Sequence, residues 1–320
     1  MALSMYLNGR FASTREEAKV SLFDHGMLYG DGIFEGIRAY YGRIFRLEDH
    51  LDRLYRSARG IDLEIPLDRS VLRAAILETV RRSDLDDAYI RVVVSRGPGD
   101  LGIDPRKCLR PAVYIIADRI SVYPAEKYER GLRVITASTR RNRPDSLNSQ
   151  IKSLNYLNNI LGLQEAIRQG ADEAIMLSEA GYVTEATADN VFAVRNDSLM
   201  TSPAYLGLLE GITRGLVMEL GRRIGLRVEE RPLVLQDLYG ADEVFLSGTG
   251  AELVPVIEID GRIISTGQPG PIFKRLLSEF RERTKWDGVP IHDELERKAA
   301  DLPSRKKARR NGRTVAELVP

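Results

Sequence analysis

Cysteine, histidine and tryptophan are nearly missing from this 320-residue sequence: Cys108 stands alone, His25, His50 and His292 are scattered, and there is one tryptophan. One cysteine forms no internal disulfide, so a reducing compartment is the simplest home. It also builds no zinc site, and the histidines lack the His-Glu-x-x-His spacing of a metal helix. No apolar run of about 20 residues appears, and residues 1–10 lack a signal-peptide core, which points to a soluble, cytoplasmic protein with no membrane contact. A Gly-x-Ser-x-Gly elbow and a Walker loop are absent too. Lysine is scarce, nine against thirty-eight arginines, so an amine nucleophile has few candidates.

The net charge of +1 hides a segregation. Arg305, Lys306, Lys307, Arg309, Arg310 and Arg313 crowd the C-terminal tail, and without them 41 basic residues face 46 acidic ones. Such a body carries no nucleic-acid footprint. A polyanion binder acting through the tail is the alternative from another class; a solvated, disordered tail is the simpler reading.

What is present reads as α+β. Short extended segments broken by glycine fill residues 5–47, with a hairpin turn at Tyr41-Gly42. Leu47, Leu51, Leu54, Tyr55 and Ala58 share one helical face, and a second helix over 68–82 should bury Val71, Leu72, Ala75, Ile76 and Val80. Residues 89–95 and 112–117 read as neighbouring strands. Further on come a strand at 132–138, an Arg-rich loop at 140–143 and a helix carrying Lys152 to about 168. Strands at 173–177 and 191–194, a helix at 213–224, a strand at 243–247, a hairpin at 260–261 and a helix at 272–283 follow. This divides the chain into a small N-terminal domain (1–120), a linker (121–132), a larger domain (133–288) and a basic tail (289–320).

Gly97-Pro98-Gly99-Asp100-Leu101-Gly102 imitates a dinucleotide fingerprint, but no helix opens after it to offer amides to a pyrophosphate, so it reads as a hairpin loop. Lys152 is more telling. It sits between Ile151 and Leu154, where desolvation favours the neutral amine that forms a Schiff base. Gly211-Ile212-Thr213 precedes an apolar helical run and could cradle a phosphate with free amides, unless Thr213 is only an N-cap. Arg53 could fork a phosphate from its helix, and Glu185 ends a strand where a carboxylate could hold a pyridine nitrogen protonated.

Together these segments resemble the branched-chain amino acid aminotransferases, which use pyridoxal phosphate. The resemblance rests on residues 24–38 (DHGMLYGDGIFEGIR), 89–91 (YIR), 151–156 (IKSLNY), 211–214 (GITR) and 247–252 (SGTGAE). It implies the two-domain type IV fold, a small N-terminal α/β domain and a larger C-terminal α/β pseudo-barrel. It further implies a transaminase that exchanges the amino group of leucine, isoleucine or valine with 2-oxoglutarate by a ping-pong route. Lys152 would hold the cofactor as an aldimine and shuttle the proton, and Tyr156, one helical turn on, would meet the phenolic oxygen. Glu185 would pair the pyridinium, and Arg53, Ile212, Thr213 and Thr249 would hold the phosphate. The substrate carboxylate would fall to Tyr89 and the turn Thr249-Gly250-Ala251, and its side chain to Tyr29, Phe34 and Gly36. Arg91 or Arg38 would receive glutamate's second carboxylate, each readable equally as a structural ion pair. A homo-oligomer, a dimer or a dimer-based hexamer, is implied as well. D-amino acid aminotransferase and aminodeoxychorismate lyase share the fold and are the near alternatives. Ala188 and Gly250 depart from the family's usual glycine and alanine.

Overall fold

The computed structural model describes residues 3–292. Six strands come first: β1 (Ser4–Leu7), β2 (Arg10–Ala12), β3 (Gly32–Tyr40), β4 (Arg43–Ile44), β5 (Ala88–Ser95) and β6 (Ala112–Asp118). The second half supplies β7 (Leu132–Thr136), β8 (Glu173–Leu177), β9 (Val183–Ala186), β10 (Asn190–Arg195), β11 (Ser198–Thr201), β12 (Arg227–Glu230), β13 (Glu243–Gly248), β14 (Glu252–Ile259) and β15 (Arg262–Ile263), and β16 (Val289–Pro290) closes the series. The helices are α1 (His25–Tyr29), α2 (Leu47–Gly60), α3 (Arg69–Ser83), α4 (Ala125–Arg130), α5 (Leu157–Arg168), α6 (Ile212–Arg223), α7 (Leu235–Tyr239) and α8 (Pro271–Thr284).

The first sheet runs β16-β4-β3-β5-β6-β1-β2, antiparallel throughout. The second runs β12-β11-β10-β13-β14-β7-β8-β9, with β15 paired to β14, and is mixed. A two-residue turn joins β3 to β4, and both Tyr41 and Gly42 take the positive φ that such a hairpin needs.

Alternation along β3 and β5 decides what lies where. Ile33, Ile37 and Ala39 on β3, with Ile90, Val92 and Val94 on β5, pack on Leu51, Leu54, Leu72 and Ile76 of α2 and α3. Phe34, Gly36, Tyr89 and Arg91 turn to the opposite face, toward the second sheet, with Gly36 registered opposite Arg91. A second apolar core fills the larger sheet, and a third joins the halves, packing Tyr40 and Phe45 with Phe192, Phe245 and Phe280.

Four expectations shift. Val71 is exposed, because the buried face of α3 is Leu72, Ala75, Ile76 and Val80. The expected linker at 121–132 contains α4. Lys152 lies before its helix rather than on it: Phe34 N donates to Lys152 O at 2.9 Å and Leu154 N to Gly32 O at 2.9 Å, so residues 152–154 are stitched to the edge of β3. The apolar residues that imitated a helical face serve that contact, with Ile151 packed on the first core and Leu154 against Gly32. The tail begins later than 289, since β16 pairs with β4 and Ile291 is buried in the first core. The basic cluster from Arg305 onward lies outside the described residues.

Candidate active site

Between the two sheets lies a cavity of about 770 Å³, and Lys152 projects into it. Its Nζ stands 3.3 Å from the Tyr156 hydroxyl and 4.8 Å from the centre of the Phe34 ring. Its backbone is fixed from both sides, by β3 and by the Ser57 hydroxyl, which accepts from Lys152 N at 3.1 Å. Ser57 is four residues beyond Arg53 on α2, so a single helix face positions both the lysine and the arginine. Thus Tyr156 meets Lys152 without the helical turn expected from the spacing.

Arg53 is buried among strong acceptors. Its Nε and one terminal nitrogen donate to the two oxygens of Glu35 at 2.7 and 2.8 Å, and its other terminal nitrogen donates to Glu210 O at 2.9 Å. The Arg53 and His50 groups beside Glu35 hold its carboxyl well below the usual carboxylate range despite complete burial. Burial pushes the His50 imidazole down, favouring the neutral ring, whose Nδ1 is 2.8 Å from Glu35.

Glu210 leads into Gly211, which precedes α6, and no side chain caps that helix start. Thr213 is therefore not an N-cap. The early amides of α6 are left for a ligand, beside Arg53 and at the positive end of a helix dipole. Gly211 is required there, because a Cβ would come within 2.1 Å of Asn190 Oδ1.

Glu185 accepts from Arg141 Nε at 2.8 Å, Leu209 N at 3.0 Å and Asn190 Nδ2 at 3.2 Å. Those donors leave a carboxylate with acceptor capacity for one more N–H from the cavity. Uncapped amides, a guanidinium, a polarised carboxylate and one amine are a donor set that fits pyridoxal phosphate, with the phosphate at α6 and the ring nitrogen at Glu185.

Phe34, Gly36, Tyr89, Arg91, Ile212, Thr213, Thr249, Gly250 and Ala251 also line the cavity. Arg91 lies over Phe34, 4.4 Å from the ring centre. Gly36 has no room for a side chain, since a Cβ would sit 2.3 Å from the Tyr89 hydroxyl. A Cβ at Gly250 would sit 3.1 Å from the exposed Val122 side chain, a tight contact rather than a clash.

Two expected residues stay outside. Arg38 pairs with Glu252 at 3.6 Å and donates to Gly250 O at 3.3 Å, so it braces the turn from behind. Tyr29, at the end of α1, is 39% exposed, and its hydroxyl donates to Leu101 O. Conversely, nothing in the sequence singles out Arg141: Arg140 and Arg143 flank it in a polar loop, and only its tertiary pairing distinguishes it. Glu35 and His50 do carry a signal, which the motif reading passes over. Glu35 occupies an inward position of an apolar strand, and His50 lies three residues before Arg53 on the buried face of α2.

At the other end of the cavity the Tyr123 hydroxyl lies 3.3 Å from Glu173 and 3.4 Å from Asp189. Burial, reinforced by Glu173, pushes the Asp189 carboxyl up to about 7, and burial raises Glu173 also. Among the described residues no cluster fit to hold a metal ion is found.

The family model for class IV amino-transferases matches residues 32–259. A Methanocaldococcus jannaschii protein that carries the branched-chain-amino-acid aminotransferase name provisionally is 51% identical, over 91% of this chain and all of the relative. Among solved structures, an Escherichia coli branched-chain amino acid aminotransferase superposes with a TM-score of 0.86 at 33% identity, covering 92% and 97% of the two chains. The Thermobaculum terrenum branched-chain amino acid aminotransferase, solved in its PLP-loaded holo-form, gives 0.80 at 33% identity, covering 88% and 94%. A lysine amine, an uncapped helix start and a buried carboxylate converging on one cavity thus coincide with a likeness that spans most of the sequence, and the chain belongs to the class IV aminotransferases, within them to the branched-chain aminotransferases.

Proposed function

We propose that this chain is a pyridoxal phosphate-dependent transaminase that interconverts L-leucine, L-isoleucine or L-valine and 2-oxoglutarate with branched-chain 2-oxo acids and L-glutamate. The observation that carries the reading is Lys152 Nζ, set between Phe34 and the Tyr156 hydroxyl in the cavity that α6 and Glu185 also face. When bound, pyridoxal phosphate supplies an electron sink for the carbon that loses its proton.

The chain's own residues divide the remaining work. Lys152 would be the base that takes the proton from the substrate α-carbon and passes it to the cofactor's aldehyde carbon. Tyr156 would donate its hydroxyl to the cofactor's phenolic oxygen. Glu185, fixed by Arg141, presents an acceptor oxygen to the ring nitrogen. Arg53 and the amides of Ile212 and Thr213 take the phosphate, with the Thr249 hydroxyl beside them. The turn amides at Gly250 and Ala251 and the Tyr89 hydroxyl take the substrate carboxylate. The cavity wall at Phe34 and Gly36 takes the branched side chain, at about 1–3 kcal/mol per methylene of fit. Arg91, whose guanidinium lies over the Phe34 and Tyr89 rings, takes the second carboxylate of glutamate, a role Arg38 gives up to Glu252.

The working form in this reading is a homo-oligomer, a dimer or an assembly of dimers, in the cytoplasm. An apolar surface supports it: Leu22, Phe23, Met27 and Tyr29 near α1 adjoin Leu101 and Ile103 of the loop that holds Tyr29, and all are exposed. No helix among the described residues is long and apolar enough to cross a membrane.

Turnover of 2-oxoisocaproate with L-glutamate tests the reading, and turnover with D-glutamate alone would overturn it. Lys152→Ala should abolish turnover, by at least about 10³-fold, and remove the visible absorbance of the bound cofactor while the far-ultraviolet circular dichroism is kept.

A further inference from the structure

Arg53 does not enter the cavity as a free cation. Glu35 takes its side edge with both oxygens, and Glu210 O takes one more N–H. A guanidinium has five N–H bonds. Three are committed, so two remain, one on each terminal nitrogen. Glu35 is itself held from behind by His50, whose Nδ1 is 2.8 Å from the oxygen that also faces Arg53. All three side chains are buried, on two elements that pack directly together, β3 and α2. The carbonyl of Glu210 ties the same guanidinium to the residue before the uncapped start of α6. Nothing else in this arrangement needs a buried ion triad: the surrounding positions, Ile33, Ile37, Leu51 and Leu54, form an apolar core.

Resting on the reading above, we propose that Glu35 and His50 are positioning residues for the cofactor's phosphate, locking Arg53 so that its two uncommitted N–H bonds are held in register with the amides of Ile212 and Thr213. Charge and geometry make opposite forecasts, which makes the idea testable. Glu35 neutralises Arg53, so by charge alone its removal should tighten binding of a phosphate dianion. By geometry its removal frees the guanidinium to turn away from α6, and binding should weaken. The bidentate pair is short and fully desolvated, so geometry should win.

The experiment titrates the full chain, stripped of cofactor, with pyridoxal phosphate and separately with pyridoxal, which lacks the phosphate, following bound cofactor by absorbance. Glu35→Gln should weaken pyridoxal phosphate by roughly tenfold or more, the scale seen when residues that orient a ligand's contacts are removed, and leave pyridoxal within about twofold. Equal weakening of both would mean a structural role only, and unchanged or tighter pyridoxal phosphate binding would mean that charge decides; either overturns the proposal. If Glu35→Gln does not fold, His50→Leu removes just the outer hydrogen bond and should give a smaller loss, about threefold, with the same phosphate selectivity. Failure of the wild-type chain to bind pyridoxal phosphate would instead sink the transaminase reading itself.

Discussion

At one end of the cavity Glu35 meets Arg53 and His50; at the other, Glu173 and Asp189 share the hydroxyl of Tyr123, and Glu173 also accepts from the Ala174 and Thr187 amides. All of these carboxyls are buried, so desolvation raises each of them. A bidentate guanidinium overcomes that effect for Glu35. The shared hydroxyl does not for the pair, even with the Ala174 and Thr187 amides that donate to Glu173, because one O–H can donate to only one of two carboxylates at a time. The same type of group is thus held as an anion at the phosphate end and pushed toward its protonated form at the other. Partner chemistry, rather than depth, sets the difference.

Removing an anion from the first group should hurt most. Glu35→Ala leaves Arg53 charged, buried and short of two acceptors, and should cost about 3–5 kcal/mol of stability in a denaturant titration. A loss below about 1 kcal/mol, the scale of an exposed ion pair, would erase the contrast between the two ends.

Asp189→Asn sharpens the comparison through its pH dependence. A folded carboxyl raised to about 7 keeps its proton where the unfolded chain has lost it. Its contribution is fully present below the unfolded value near about 4 and is lost as pH rises through about 7. Wild-type stability should therefore fall between about pH 4 and 8 relative to Asp189→Asn, by about 4 kcal/mol, since the rise is about three pKa units and each is about 1.4 kcal/mol. Thermal melts of both proteins across that range check it, and a constant difference would put Asp189 among ordinary aspartates. Tyr123→Phe should have the smallest effect, a loss of about 1 kcal/mol for one buried hydrogen bond, read from the same melts near the middle of that range.

The two ends also differ in how far the sequence reveals them. At the Lys152 end a lone lysine among apolar residues, a glycine before a helix and the alternation of β3 and β5 carry the chemistry in local pattern. Local pattern also misleads there, since Ile151 and Leu154 have helical spacing but pack on β3 and its core. Arg141 is invisible in the sequence because its partner, Glu185, is 44 residues away and its neighbours are surface arginines. Tyr123, Glu173 and Asp189 are likewise far apart in the chain, and ordinary residues individually. Their chemistry exists only once β8, the segment before α4 and the turn before β10 have come together. Arg38 shows the converse. The motif around it is strongly patterned, yet its contacts with Glu252 and Gly250 O are set by how the second sheet docks.

The last described strand bears on how the molecule is made. Val289–Pro290 returns across the whole second half to pair with β4, Arg81 donates to Ile291 O, and Ile291 inserts among residues from the first third of the chain. A nascent polypeptide leaving the ribosome therefore carries an N-terminal sheet with an open flank until most of the sequence has been translated. Synthesis order and assembly order are opposed at that edge, because β4 waits for its partner from residue 289 onward.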